Sequence, residues 1–367
     1  MRASGFHRAL DFFLGVPFVL FLSIIRRKRE IPDRIQRIGF IAPSAIGDLV
    51  LDSGVLVHVR EKYPDAAIHL FVGKNNSQLV PLLPITCVVH VCDFFNVFQT
   101  TGEIRAASLD VLVDFAPWPR LTAICARLSG VVTVGFRSLK QFRHFAFDVA
   151  IEHRNDCHET ENLLRLSRVF GDCNRYVVAL RPPGNHKILG AGGLSDCIIC
   201  HCVPGGSRAR YKMWPQERWV HFSREMISRG YKLLFSGSTD DSDYVQEIVS
   251  AVRRTDGVTA GSIWSECGHL SLTELAQALV NSRLCVSVDT GVMHLAWALG
   301  VPTVALMGPA SAERWGAKSE ASVNVESRHP SAGFIHLGFE KCRCADEIMS
   351  FIDVQSVCNA AFRLLGS

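Results

Sequence analysis

The stretch LCVSVDTGVMHLAWALGVPTVALMGP, residues 284–309, decides the fold. LCVSV is a short apolar run rich in strand formers. Beyond Asp289-Thr290-Gly291, the apolar residues Val292, Leu295, Ala296 and Leu299 recur at helical spacing. Gly300 and the following Val301-Pro302 stop that helix, and TVALM is the next buried strand. Asp289 has the chemistry of the helix N-cap. The whole is one strand–helix–strand unit of a parallel sheet. Its polar corner lies at a strand's carboxyl end, where such sheets bind ligands and where the free amides of a helix start favour an anion.

The alternation continues in both directions. In the first half RIGFIA (37–42), AIHLFV (67–72), VVHVC (88–92), DVLVDF (110–115) and VVTVGF (131–136) read as strands. Leu49 to Lys62, Arg120 to Leu128 and Glu159 to Phe170 have helical spacing. RPPGNHKILGAGG (181–193) is turn-rich and marks a boundary. The pattern restarts with CIICHCV (197–203), a helix around Gln216 to Ser228, KLLFSG (232–237) and a helix from Leu272 to Asn281. The expected fold is α/β, with two doubly wound, Rossmann-like domains facing each other across a cleft. The expected division is an apolar and basic segment at 1–30, a first domain at 31–180, a linker at 181–193, a second domain at 194–345 and a C-terminal helix within 346–367.

A chain of 367 residues with 48% hydrophobic and 20% charged residues is an ordinary folded protein of about two domains. The net charge of +4 gives no reason to expect a nucleic-acid partner. The thirteen cysteines lie largely in apolar runs, the C-x-x-C spacing Cys197/Cys200 included, and read as reduced, buried thiols; a metal site is not expected. Near the amino terminus, FFLGVPFVLFLSII (12–25) carries no charge and is followed by Arg26-Arg27-Lys28-Arg29. It is shorter than the roughly 20 residues a membrane-spanning helix needs. A basic cluster beside it suits anionic lipid on the cytoplasmic face. It is read as a membrane-surface anchor, with a helix buried on the first domain as the alternative.

Four strand-end corners carry the polar chemistry. PSAIGDLV (43–50) places Asp48 at a helix start, either as a cap or as a general base. VPGGSRARYKMW (203–214) combines Gly205, Gly206, Ser207 and Lys212, which suit a phosphate, without the Walker spacing. FSGSTDDSDY (235–244) offers an acid for ribose hydroxyls or a helix cap. The fourth is the corner at Asp289. No G-x-G-x-x-G follows a strand, so a dinucleotide oxidoreductase is not suggested, and a metal-dependent sugar transferase is not expected either. Arg137, Lys140, Arg143 and His158 are first-domain candidates for a phosphorylated acceptor, against a plain solvated face.

Together S-A-I-G-D (44–48), P-G-G-S (204–207), K-x-W-P-x-E-R-W (212–219), S-L-T-E-L-A (271–276), D-T-G-V-M-H-L-A (289–296) and G-P-A-S-A-E-R-W-G (308–316) resemble glycosyltransferase family 9, the heptosyltransferases of lipopolysaccharide core assembly. The resemblance implies a GT-B fold and inverting, metal-independent transfer from a sugar nucleotide such as ADP-heptose to a glycolipid at the cytoplasmic membrane face, with no cofactor. It makes Asp48 the base, and Ser207, Lys212, Asp289, Thr290 and Gly291 the diphosphate and sugar contacts. Asp241 falls near the ribose-binding acid, Leu270 over the adenine, and His294 within reach of the sugar. The competing readings are a GT-B enzyme with another donor or an epimerase, and a catalytically silent sugar-nucleotide-binding membrane protein.

Overall fold

The computed structural model describes residues 11–25, 27–184, 194–206, 208–336 and 340–366. The chain divides into two compact units, Met1–Ala179 and Leu180–Ser367. Each unit is built on one six-stranded, wholly parallel sheet.

In the first unit the strands are β1 (Arg37–Ala42), β2 (Ala67–Val72), β3 (Val88–Val91), β4 (Val111–Asp114), β5 (Val132–Ser138) and β6 (Val149–His153). Their order across the sheet is β3-β2-β1-β4-β5-β6. The chain winds outward from β1 to β3, then returns to β4 on the other side of β1. The crevice outside the carboxyl ends of β1 and β4 is therefore the switch point at which doubly wound sheets hold ligands. Helix α1 (Gly15–Ile25) precedes the sheet, and α2 (Ile46–Lys62), α3 (Val97–Ala106), α4 (Arg120–Ser129) and α5 (Glu159–Ser167) connect or follow its strands. Central strands such as β4 are buried at every residue, which is why they read as continuous apolar runs rather than as alternation.

The second unit repeats this plan. Its strands are β7 (Cys197–His201), β8 (Lys232–Phe235), β9 (Ile263–Ser265), β10 (Leu284–Val288), β11 (Thr303–Met307) and β12 (Ser322–Glu326). Their order, β12-β11-β10-β7-β8-β9, puts the switch point between β7 and β10. Helices α6 (Gln216–Ser228), α7 (Ser242–Arg253), α8 (Leu272–Val280), α9 (Gly291–Ala298), α10 (Ala312–Trp315) and α11 (Val354–Leu365) complete it. Trp214, Trp219 and Phe235 are fully buried beneath the sheet, and the Trp214 and Trp219 rings meet edge to face at 5.1 Å.

One close approach fixes the helix that carries Asp48. Tyr176 lies on α2, its hydroxyl donating to Leu51 O at 2.6 Å and accepting from Val55 N at 3.2 Å. A Cβ on Gly54 would fall 2.5 Å from the Tyr176 ring, so only glycine admits this clamp.

Six elements go beyond the sequence reading: strands β6, β9 and β12 and helices α3, α7 and α10. The cysteines are all free thiols, and most are buried. Burial pushes the Cys197 and Cys285 thiols up to about 12, so they stay protonated and inert. Among the described residues no helix is long and apolar enough to cross a membrane. The linker stretch 185–193 lies outside the described residues.

Candidate active site

The second-unit switch point is assembled from two loops. The first leaves β7, passes Gly206 with a left-handed φ of 86°, and makes a single 3₁₀ turn over Ala209–Lys212. Trp214, two residues later, is buried and donates its indole N–H to Ile352 O at 2.9 Å. That anchor holds Lys212 against the sheet end. The second loop is Asp289-Thr290-Gly291, directly after β10.

The two loops meet through an ion pair. Lys212 Nζ lies 2.5 Å from Asp289 Oδ2, and both side chains are largely buried. Asp289 is therefore not the cap of α9. Thr290 caps it, its Oγ1 accepting from Val292 N at 3.0 Å and Met293 N at 3.4 Å. The physical reason is competition: a nearby buried ammonium draws the carboxylate, and the next residue has a hydroxyl that serves the amides equally well. This cap does not use the Gly291 amide, which sits at the positive end of the helix. His294, one turn on, is buried and its Nδ1 accepts from Trp297 Nε1 at 3.4 Å.

Ser207 lies outside the described residues. Asp241 acts as a local cap: its Oδ2 accepts from Ser238 N and Ser238 Oγ, both at 2.7 Å. Leu270 is half-buried immediately before Ser271, the N-cap of α8. Sequence reading missed His201 at the end of β7. Its Nδ1 is 2.9 Å from Ser236 Oγ, and burial lowers it to about 4, so it is a neutral hydrogen-bonding group at this edge.

In the first unit, Asp48 is the third residue of α2, half-buried, and its Oδ2 accepts from Ala45 N at 3.0 Å. Asp52, one turn further along the same helix, is buried and was not singled out from sequence. Burial, then the negative charges of Asp48, Glu159 and Asp114, pushes its carboxyl well up and favours the neutral form. Asp48 thus sits at the β1–β4 switch point with Asp114 at the end of β4.

The four acceptor candidates divide. Arg137 and Lys140 are exposed. His158 is buried as the N-cap of α5, its Nδ1 accepting from Thr160 N at 3.2 Å. Arg143 is wholly buried, ion-paired with Asp114 and donating to Pro119 O at 3.2 Å. It is a core cation rather than a surface one. Its partner lies 29 residues away on β4, which no local signal in the sequence gives.

Residues 192–334, which contain both loops of the second-unit site, match the model of glycosyltransferase family 9 (heptosyltransferase). Over this stretch the chain is similar to glycosyltransferase family 9. Lipopolysaccharide heptosyltransferase 1 of Pseudomonas aeruginosa is 31% identical over 122 residues, 33% of this chain and 32% of that protein. The match thus spans about a third of that relative's length. The fold likeness is wider. A solved Escherichia coli ADP-heptose lipopolysaccharide heptosyltransferase II superposes with a TM-score of 0.72 at 18% identity, over 90% of this chain and 98% of that one. An Escherichia coli heptosyltransferase solved with ADP gives 0.65 at 15%, over 90% and 100%. The architecture is that of GT-B proteins, two Rossmann-like domains in one chain.

Proposed function

We propose that this protein is a family 9 glycosyltransferase, inverting and metal-independent, that moves a heptose or related sugar from ADP-heptose to a lipopolysaccharide-type glycolipid. The observation that carries the reading is the buried Lys212–Asp289 pair beside the start of α9, inside the stretch that matches the family. A lysine held there by a carboxylate is aimed before the donor arrives. Entry of the diphosphate supplies a stronger anionic partner, and the Gly291 amide adds a donor at the positive helix end. Both stabilise the charge that grows on the β-phosphate as the glycosidic C–O bond breaks and ADP leaves with the electron pair. Ser207, Asp241, Leu270, Thr290 and His294 complete the donor contacts in this reading.

Asp48 takes the proton from the acceptor hydroxyl as its oxygen attacks the anomeric carbon, inverting the centre. The acceptor is a membrane glycolipid, and α1 places the enzyme peripherally on the cytoplasmic face.

The test uses the purified full chain. ADP-heptose is expected to raise the melting temperature more than UDP- or GDP-sugars, and ADP release with a glycolipid acceptor is expected to persist in EDTA. No preference for the adenine nucleotide, or a rate restored only by added metal, would overturn the reading.

Replacing Lys212 by alanine is expected to weaken ADP binding by roughly tenfold to a hundredfold, since charge-assisted bonds are worth about 1.5–3 kcal/mol. Titration calorimetry with ADP reads this directly. The variant also leaves Asp289 unpaired, so Asp289→Asn/Lys212→Ala serves as the comparison that removes its repulsion of the diphosphate. Wild-type ADP affinity in both variants would remove Lys212 from the donor site.

A further inference from the structure

Helix α1 is apolar on two opposite sides. Val19 is fully buried, and Leu22 packs with it into the core beside Ala123 and Ile124 of α4. Phe13 just before the helix, then Phe21 and Ile24 within it, are exposed at 72%, 57% and 84%. A helix that is apolar all round belongs in an apolar environment, and an exposed patch of this kind marks a contact.

A second element continues the patch. Helix α1 packs against the 3₁₀ turn Arg143–Ala146. Buried Arg120 ties the two together, donating to Asp11 Oδ2 at 2.7 Å on one side and to Gln141 Oε1 at 3.0 Å on the other. In the loop between β5 and this turn, Leu139 is 73% exposed and Phe142 is also exposed, as is Phe145 within the turn. Lys140 and Phe142 both have left-handed backbone, with φ of 59° and 60°. Bulky L-residues disfavour that region, so the loop maintains a costly shape that leaves Leu139 and Phe142 uncovered.

Cations border the same region. Arg137 lies near the end of β5 and Lys140 in this loop, while Arg27 and Lys28 follow α1, and all four are exposed. Burial, then the positive charges of Arg137 and Lys28, lowers His144. Arg29, also exposed, is tied to buried Asp148, its backbone amide donating to Oδ1 at 3.1 Å and its guanidinium 3.7 Å from Oδ2.

We propose that the loop 138–145 and helix α1 form one lipid-facing surface, with Leu139 and Phe142 entering the acyl boundary beside Phe21 while Arg137 and Lys140 meet the phosphates of an anionic bilayer. Apolar side chains bordered by cations match the chemistry of that interface. A second copy of the chain fits worse, because a two-fold contact through this face would bring Arg137 and Lys140 against their own like charges. The proposal rests on the reading of α1 as membrane-facing and not on the choice of donor. It reassigns Arg137 and Lys140 from sugar-acceptor contacts to lipid headgroups.

The test is sedimentation of the full chain with phosphatidylglycerol/phosphatidylcholine vesicles. Leu139→Ser/Phe142→Ser is expected to lower vesicle affinity by roughly tenfold or more, as is Phe13→Ser/Phe21→Ser in the helix. Arg137→Gln/Lys140→Gln is expected to weaken binding to the anionic vesicles, by roughly fivefold or more per cation removed, and to leave pure phosphatidylcholine binding unchanged. Unchanged melting temperature and ADP affinity show that each variant is folded. If the wild type ignores anionic vesicles, the membrane reading of α1 fails with this one. If the wild type and the loop variant bind equally while the helix variant does not, only the loop assignment is overturned. Self-association of the lipid-free wild type that the loop substitutions abolish would identify a second copy as the occupant and also overturn it.

Discussion

Replacing Asp48 by asparagine is expected to reduce turnover by about 10²–10⁴-fold, the usual worth of general-base help, while sugar-nucleotide affinity stays at the wild-type value. The substitution separates two roles that share one position. As a cap, Asp48 accepts the Ala45 amide at 3.0 Å, and the asparagine carbonyl oxygen accepts that bond nearly as well. As a base, it must take up a proton, which the amide cannot do. The Tyr176 clamp on Leu51 and Val55 holds the same helix irrespective of residue 48, so the local fold is kept. Donor affinity is an internal control, because Lys212 and Asp289 lie in the other unit. Near-normal turnover at saturating acceptor would leave Asp48 as a cap and remove the proposed base. Asp52 is not the base in this reading: burial and the neighbouring negative charges push its carboxyl up, towards the neutral form, which is a poor proton acceptor.

Replacing Arg143 by methionine is expected to destabilise the first unit by about 3–5 kcal/mol, the scale for breaking a buried ion pair at one end. The cause is not the lost attraction alone. Asp114 is fully buried; burial pushes its carboxyl up, and the Arg143 charge is the largest influence bringing it back down. Without the guanidinium the folded carboxyl moves higher still and takes a proton. The native state of the variant then binds more protons than the unfolded chain, so its stability falls as pH rises from the unfolded carboxyl range through the raised folded value. Urea unfolding of Arg143→Met should therefore show a larger deficit at pH 8 than at pH 5. Adding Asp114→Leu removes the stranded acid and should recover most of the loss. A deficit under about 1 kcal/mol that does not change with pH would show that the pair is not structural.

The separate roles of these residues show how far the sequence reaches. Local chemistry determined the repeated strand–helix units, since apolar runs bounded by glycine, proline and polar corners specify their own elements. It singled out the second-unit corner at Asp289 and the turn-rich stretch from residue 181, and its motifs carried the resemblance to family 9. Edge elements were harder to read. Strand β6 is only half-buried along most of its length, and α7 begins inside the polar run SGSTDDSD, which also reads as loop. What the chain could not specify locally was partnership over distance. Lys212 and Asp289 form a pair because β7 and β10 are adjacent at a switch point, and strand order depends on which crossovers pack, not on any one segment. The same adjacency passed the cap of α9 from Asp289 to Thr290. Arg143 has the sequence context of a surface cation, yet the return of β4 beside β1 and β5 set Asp114 against it in the core. Helix α1 shows both limits at once. Its apolar composition was legible, but only packing on α4 could divide one uniformly apolar helix into a buried side and an uncovered one. The physical reason is that burial is decided between elements, and a single segment carries no record of what will face it.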